Sequence, residues 1–216
     1  MVVDEMESNV LKDRAYTAIK ERLLNGDIPP GSRIREDIIA KEFAVSRTPV
    51  REAINQLYRS GFVEIIPRHG IFAATITKET LLELTQVRES LSALAVRCCC
   101  ARITEAEVEN LYSILEKYDD ACDRKDLHSR NILDGQFHKQ IALYSGNSIL
   151  YSYLSDIEDK AIYSRNMINY SFFQTDSRRV HREMVDAIRK HDVEAAVEST
   201  IKNVNHLYES MGSVIK

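Results

Sequence analysis

Apolar positions repeat at helical spacing along almost the whole chain, with one interruption around residue 65. In 10–25 (VLKDRAYTAIKERLLN), Ala15, Ile19, Leu23 and Leu24 form a stripe. Asn25-Gly26 suits a helix C-cap and Pro29-Pro30-Gly31 forces a turn, which ends that helix. A short helix is predicted over 36–43, with Ile39, Ala40 and Phe43 facing in. In VSRTPVREAINQLYRSGF, Val50, Ala53, Ile54, Leu57 and Tyr58 fall at i, i+3, i+4, i+7 and i+8, one buried face. Ser46 or Thr48 can cap this helix, Pro49 fits its first turn and Gly61 closes it. Val63–Ile66 and Gly70–Ala74 are two brief apolar runs joined by Pro67-Arg68-His69-Gly70, a hairpin pattern.

After Thr77 the strand signal ends. A long helix is expected from Thr77-Lys78, with Leu81, Leu84, Val87, Leu91, Leu94 and Ala95 as its apolar row. The next opens on Thr104 and Glu107, a capping box. Further helices are expected over 127–145, 148–170, 176–190 and 192–211, separated by Ser145-Gly146-Asn147, Gln174-Thr175-Asp176 and His191-Asp192. No repeat of fixed period runs through them, so they predict a bundle of about six helices and not a solenoid. The fold class is therefore mainly α. A winged helix-turn-helix (three helices plus a β-hairpin) is expected over 1–76 and an all-helical domain over 77–216.

Composition is that of an ordinary globular chain, and no apolar run approaches the ~20 residues that span a bilayer. The acidic, polar start MVVDEMESNVLKDR is unlike a secretory signal, which suggests a cytoplasmic protein. Cys98, Cys99, Cys100 and Cys122 show neither a disulfide framework nor zinc-ligand spacing, and read as reduced thiols. Net charge is −4, and residues 1–74 hold 11 Lys+Arg against 11 Asp+Glu. Any nucleic-acid contact must come from local placement of charge, not from a basic domain.

That placement exists on the third helix. Opposite its apolar face and at its start lie Arg47, Thr48, Arg51, Asn55, Gln56 and Arg59. They are either the wet side of an amphipathic helix or a surface that reads the major groove, with the hairpin tip on phosphate or in the minor groove. The stretch PPGSRIRE…VSRTPVREAINQLYRSGFVEIIPRHGIF resembles the GntR family of bacterial transcription regulators across most of residues 10–76. The resemblance implies double-stranded operator DNA as partner, with Arg47 and Arg51 on bases and phosphates. It also implies hydroxyl contacts from Ser46 and Thr48, and His69 and Gly70 at the wing tip. Asp37 stands where many relatives carry a basic residue, and so removes one phosphate contact. Arginine forks suit guanine edges, and a helix start with hydroxyls suits phosphate.

In the helical half, Asp134 and His138 share a helix face, and His181 falls inward with Val185 and Ile188. Asp134 and His138 alone could be a solvated ion pair, and a lone inward histidine is commonly a core residue. A carboxylate with two imidazoles from neighbouring helices suits Zn, Ni, Mn or Fe, with positions left for water or a ligand. Arg88, in phase with Leu81, Leu84 and Leu91, either pairs with a buried acid or receives a ligand carboxylate.

The helical half also resembles the FCD effector domain of the FadR-type branch, with the helix number of its VanR-like subgroup. The markers are Asp134-x-x-x-His138, Ser145-Gly146-Asn147, His181 with Ala187-Ile188, and Asp192-x-x-x-Ala196. The resemblance implies a divalent metal on Asp134, His138 and His181 with a further histidine, where this chain has Asn203. At about 100° per residue Asn203 lies roughly 80° from the centre of the apolar stripe of the last helix. His206 lies roughly 140° away, so Asn203 is the better placed of the two.

Together these readings predict a homodimeric DNA-binding regulator, in repressor form, of a bacterial cytoplasm. A small organic acid held by Arg88 and Asn203, with or without the metal, would set its operator affinity. A metal-dependent enzyme using Asp134, His138 and His181 is the alternative. It lacks a fixed general base, a nucleophile elbow and a phosphate loop.

Overall fold

The computed structural model describes residues 2–167 and 175–212. The chain forms two compact units, Met1–Thr75 and Ile76–Lys216. In the first, α1 (Val2–Leu24) is followed by β1 (Arg33–Ile34), α2 (Glu36–Glu42), α3 (Arg47–Arg59), β2 (Val63–Ile66) and β3 (Gly70–Ala73). Its core joins Ala15, Ile19 and Leu23 of α1 to Ile39 and Ala40 of α2 and Val50, Ala53, Ile54 and Leu57 of α3. Phe62 and Val63 extend it into the sheet. Each such large side chain contributes about 1.5–3 kcal/mol when fully buried.

Three details differ from the pattern. The first helix begins well before residue 10. Tyr58 is 51% exposed: it stands at the edge of the α3 stripe, and a phenol keeps its hydroxyl in water there. The sheet has a third strand, β1, antiparallel to β3 through Arg33↔Phe72 and Ile34↔Ile71, in the order β1-β3-β2. Two residues are too short to show any alternation, so pairing and not pattern defines that strand.

The second unit holds α4 (Lys78–Cys100), α5 (Glu105–Asp123), α6 (Leu127–Tyr144), α7 (Ser148–Met167), α8 (Thr175–Arg189) and α9 (Val193–Gly212). The stops and starts are chemical. Thr77 caps α4 through Thr80, the Thr104/Glu107 box caps α5, and Asp126 caps α6 through Ser129. At Ser145-Gly146-Asn147 the Ser145 hydroxyl donates to the Ala142 carbonyl, Gly146 takes φ 70°, and Asn147 Oδ1 accepts from the Leu150 N–H. The core runs through Val96, Cys99, Leu111, Leu115, Phe137, Ile141, Met184, Val185 and Ile188. On the outer side of α8, Arg178 and Arg182 pair with Asp119, and Arg189 with Glu105, tying α8 to α5. The expected helix end near 170 and Gln174 lie outside the described residues, and Thr175 already belongs to α8.

The apolar row expected on α4 is buried only in part: Leu81 and Ala95 are buried and Leu84 and Leu91 half-buried. Val87 is 50% and Leu94 42% exposed, while Thr85, Arg88 and Ser92 are buried with Ala95, Val96, Cys99 and Cys100. Two members of this polar row are received inside: the Thr85 hydroxyl donates to the Leu81 carbonyl, and Arg88 meets a buried glutamate on α7, while the Ser92 hydroxyl is buried without a hydrogen bond. The four cysteines are free thiols, and burial pushes Cys99 up to about 12.

Candidate functional site

The exposed face of α3 is built at its start. Ser46 is the N-cap residue in extended backbone, and its hydroxyl makes no capping bond. No acidic residue stands in the first turn. Free N–H groups, the two hydroxyls of Ser46 and Thr48, and the exposed Arg47 are thus presented together. Arg51 Nε lies 3.2 Å from Glu36 Oε1, and Asp37 takes Arg35 at 2.7 Å. Both pairs are solvent-exposed, so a phosphate or base edge can replace them at small cost. His69 stands exposed in the β2–β3 turn. Gly70 has φ 126°, and a Cβ there would come within 3.1 Å of the Arg33 guanidinium. Glycine at the wing thus makes room for Arg33, a basic residue that no spacing singles out.

In the helical unit α6 brings Asp134 and His138 inward, α8 His181, and α9 Asn203. His181 Nε2 lies 3.4 Å from Asp134 Oδ1, and His138 Nε2 lies 3.9 Å from Asp134 Oδ2. Asn203 Nδ2 stands 2.9 Å from His181 Nε2. Phe137 and Tyr118 wall the imidazoles, with ring centroids 4.9 and 5.1 Å from His181. Arg88 is 1% exposed and closed by Glu158 of α7 through two bonds of 2.7 and 3.0 Å. Of its two sequence readings the buried-acid pair is the one formed, and only Nη1 is left without a hydrogen-bond partner.

Arg165 of α7 is the member that motif reading missed. Its Nη2 lies 2.6 Å from Asp134 Oδ2, and it is 4% exposed. The signal was phase: Leu154, Glu158, Ile162 and Arg165 follow at i, i+4, i+8 and i+11, a buried row ending on a cation.

These groups set one another's charge. Burial disfavours ionised Asp134, but Arg165, the two histidines and Arg88 hold its carboxyl below the usual range. Burial, with Arg88, pushes His138 down to about 3. Burial pushes His181 down to about 4 against the pull of Asp134. At neutral pH the cluster is a carboxylate beside two neutral imidazoles, the protonation state that metal ligation requires.

The donor set fits a small divalent cation. One ligand atom from each of Asp134, His138 and His181 can be chosen so that all three lie within 4.8 Å of one another. Asp134 Oδ2 and His138 Nε2 are buried with no hydrogen-bond partner. Ligands about 2.0–2.2 Å from a tetrahedral ion stand roughly 3.3–3.6 Å apart, so His181 and one oxygen of Asp134 are at ligand spacing, while His138 stands 3.9 Å from the other oxygen. Asn203 offers an amide, a weaker donor than imidazole for zinc-like ions.

A helix that presents hydroxyls and arginines beside a hairpin wing, followed by an all-helical unit, defines the winged helix-turn-helix class of transcription regulator. Comparison with known proteins agrees. Residues 11–73 match the model of bacterial regulatory proteins of the gntR family, and residues 83–206 match the FCD domain. The HTH-type transcriptional regulator YdhC of Bacillus subtilis is 30% identical over 207 residues, covering 93% of this chain and 91% of that one. The Nta operon transcriptional regulator of Aminobacter aminovorans is 32% identical over 167 residues, 77% of this chain and 79% of that one. A crystal structure of a GntR regulator from Rhodococcus sp. RHA1 superposes with TM-score 0.84 at 19% identity, covering 95% of this chain and 99% of that one. The chain belongs to the GntR family of transcriptional regulators, with an FCD domain. Its function is regulatory and DNA-binding, which sets the enzymatic alternative aside.

Proposed function

We propose that the protein is a homodimeric cytoplasmic repressor whose operator affinity is set by a small organic acid bound in the α4–α9 unit. The DNA contacts are assigned to Ser46, Arg47, Thr48 and Arg51 on α3, with His69 and Gly70 at the wing. A dimer follows from the small contact area of one winged helix and from the two-fold symmetry of operators. The observation that carries the effector reading is the set of buried polar atoms without a hydrogen bond on His138, His181, Arg88 and Arg165, gathered round the Asp134 carboxylate that Arg165 ion-pairs. Each such atom costs about 1–3 kcal/mol, and a helical bundle needs none of them. A ligand that supplies their partners recovers that energy and shifts the unit toward the arrangement that binds it best.

Asp134, His138 and His181 would hold a divalent ion, with Asn203 as an added ligand, and the ion would supply a Lewis-acid anchor for a carboxylate. Arg88 Nη1 and Asn203 would be further polar contacts of the bound acid. The test uses purified full-length protein and an operator selected from random duplex DNA, read by fluorescence anisotropy at fixed salt. Mono-, di- and hydroxy-carboxylates are added with Mn2+ or Zn2+. At least one acid is expected to change operator affinity about tenfold, a coupling of the usual 1–3 kcal/mol. Unchanged affinity across the panel, with metal present, overturns the ligand switch.

A further inference from the structure

The two buried arginines of the cluster are held differently. Arg88 is fully forked by Glu158. Arg165 reaches one oxygen, Asp134 Oδ2, at 2.6 Å without hydrogen-bond alignment, and its Nη1 is buried without a partner. That oxygen is also the one 3.9 Å from His138 Nε2, on the side where a cation shared with the imidazole would sit. A guanidinium and a divalent ion therefore compete for the same carboxylate atom.

Resting on the ligand-binding reading above, we propose that Arg165 is an internal competitor for the cation position and the receiver of the ligand's carboxylate. Its guanidinium neutralises Asp134 until a divalent ion takes that oxygen, and is then free to fork an acid bound beside the ion. Charge balance supports the coupling. Arg88 and Arg165 against Glu158 and Asp134 sum to zero, and all four are buried. A divalent ion alone would add two uncompensated positive charges to that interior, which is strongly disfavoured. An ion entering with a dianion leaves the sum unchanged. The acid class that fits is thus a small dicarboxylate or other organic dianion. The amide of Asn203, a weaker ligand than imidazole, deepens the dependence of the ion on its anion.

The test compares metal-stripped full-length wild type with Arg165→Gln and Arg165→Met. Mn2+ is titrated by electron paramagnetic resonance of the free ion and Zn2+ by calorimetry, without any acid. A charge within a few ångströms shifts a carboxylate's cation affinity by about ten- to a thousandfold, so both variants are expected to bind the ion at least tenfold more tightly than wild type. A merely structural role for Arg165 predicts equal or weaker binding, and that result overturns the proposal. Should the variants fail to fold, the wild-type protein decides the matter through the Arg165 Nε–H resonance. The resonance is expected to shift on adding Zn2+ with succinate, and an unmoved resonance overturns the proposal. Uptake of neither ion by any of the three proteins overturns it too. If operator affinity answers to an acid while the variants bind metal no better, the competitor role falls and the ligand switch stands. If the variants bind metal tenfold better while no acid alters operator affinity, the switch falls and the competitor role stands.

Discussion

Gly135 lies beside Asp134 on α6, and its missing side chain admits Ile162 of α7. A Cβ at this position would stand 2.4 Å from Ile162 Cδ1 and 2.8 Å from Cγ1. Glycine to alanine in an open helix interior gains about 1 kcal/mol. Here the methyl meets a side chain only 3% exposed, and overpacking of this kind costs about 1–3 kcal/mol. The balance is a loss of about 0–2 kcal/mol, centred near 1. The chain relieves the clash by easing α7 off α6, which also loosens Arg165 from Asp134. Gly135→Ala should therefore unfold at lower urea, in the transition of the helical unit and with unchanged slope, followed by circular dichroism. Ile162→Val removes the nearest atom. Alone it costs about 0.5–1.5 kcal/mol, and combined with Gly135→Ala it should recover about 1 kcal/mol as a coupling energy. A Gly135→Ala protein more stable than wild type would show that helix propensity decides at this position, and would refute the close α6–α7 approach as its reason.

The buried imidazoles predict a pH dependence in metal-free protein. Unfolded histidine takes up its proton as pH falls through about 6.5, while His138 and His181 stay neutral in the fold down to about 3 and about 4. The unfolded state thus binds more protons, so stability is complete above about 6.5 and is lost as pH falls toward 4, by up to about 3 kcal/mol per pH unit for two sites. Urea midpoints measured in chelator at pH 7.5, 6 and 5 should fall in that order, and a flat series contradicts the neutral buried pair. On the DNA side, Arg47→Ala and Arg51→Ala should each weaken operator binding by about 1–3 kcal/mol, with the far-ultraviolet spectrum unchanged. Anisotropy titrations at constant salt measure this, and full affinity in both variants would remove α3 from the reading face.

What the sequence discloses is what local chemistry decides. The α3 stripe and the Thr104/Glu107 box are local, and both appear in the structure, with Tyr58 alone of the stripe turned to solvent. Strand β1 is not local: Arg33 and Ile34 become a strand only because Phe72 and Ile71 pair with them. The buried face of α4 is only partly legible for a related reason. Periodicity counts large aliphatics and puts Arg88 in phase with them, but it does not show that Thr85 goes inward, where a backbone carbonyl receives it, or that Val87 and Leu94 stay exposed. At the candidate site, Asp134, His138 and His181 carried recognisable spacing, and the phase of Asn203 placed it toward them. Arg165 carried only its phase with Leu154, Glu158 and Ile162, and its pairing with Asp134 on another helix is not written in that phase.

Asn203 and Arg165 act on the same balance. An Asp with three imidazoles can fill the four positions of a divalent ion. Here the fourth position offers an amide that lies against His181, and the carboxylate already has a resident cation at 2.6 Å. Both features weaken binding of an ion alone, and on the proposed reading both would be offset by an acid that takes Arg165 and completes the coordination. By reciprocity the factor by which the acid tightens the ion equals the factor by which the ion tightens the acid. On the proposed reading a site of this composition would respond to the acid at a constant background of metal, and the helix that carries Arg165 is α7, the one packed against Gly135.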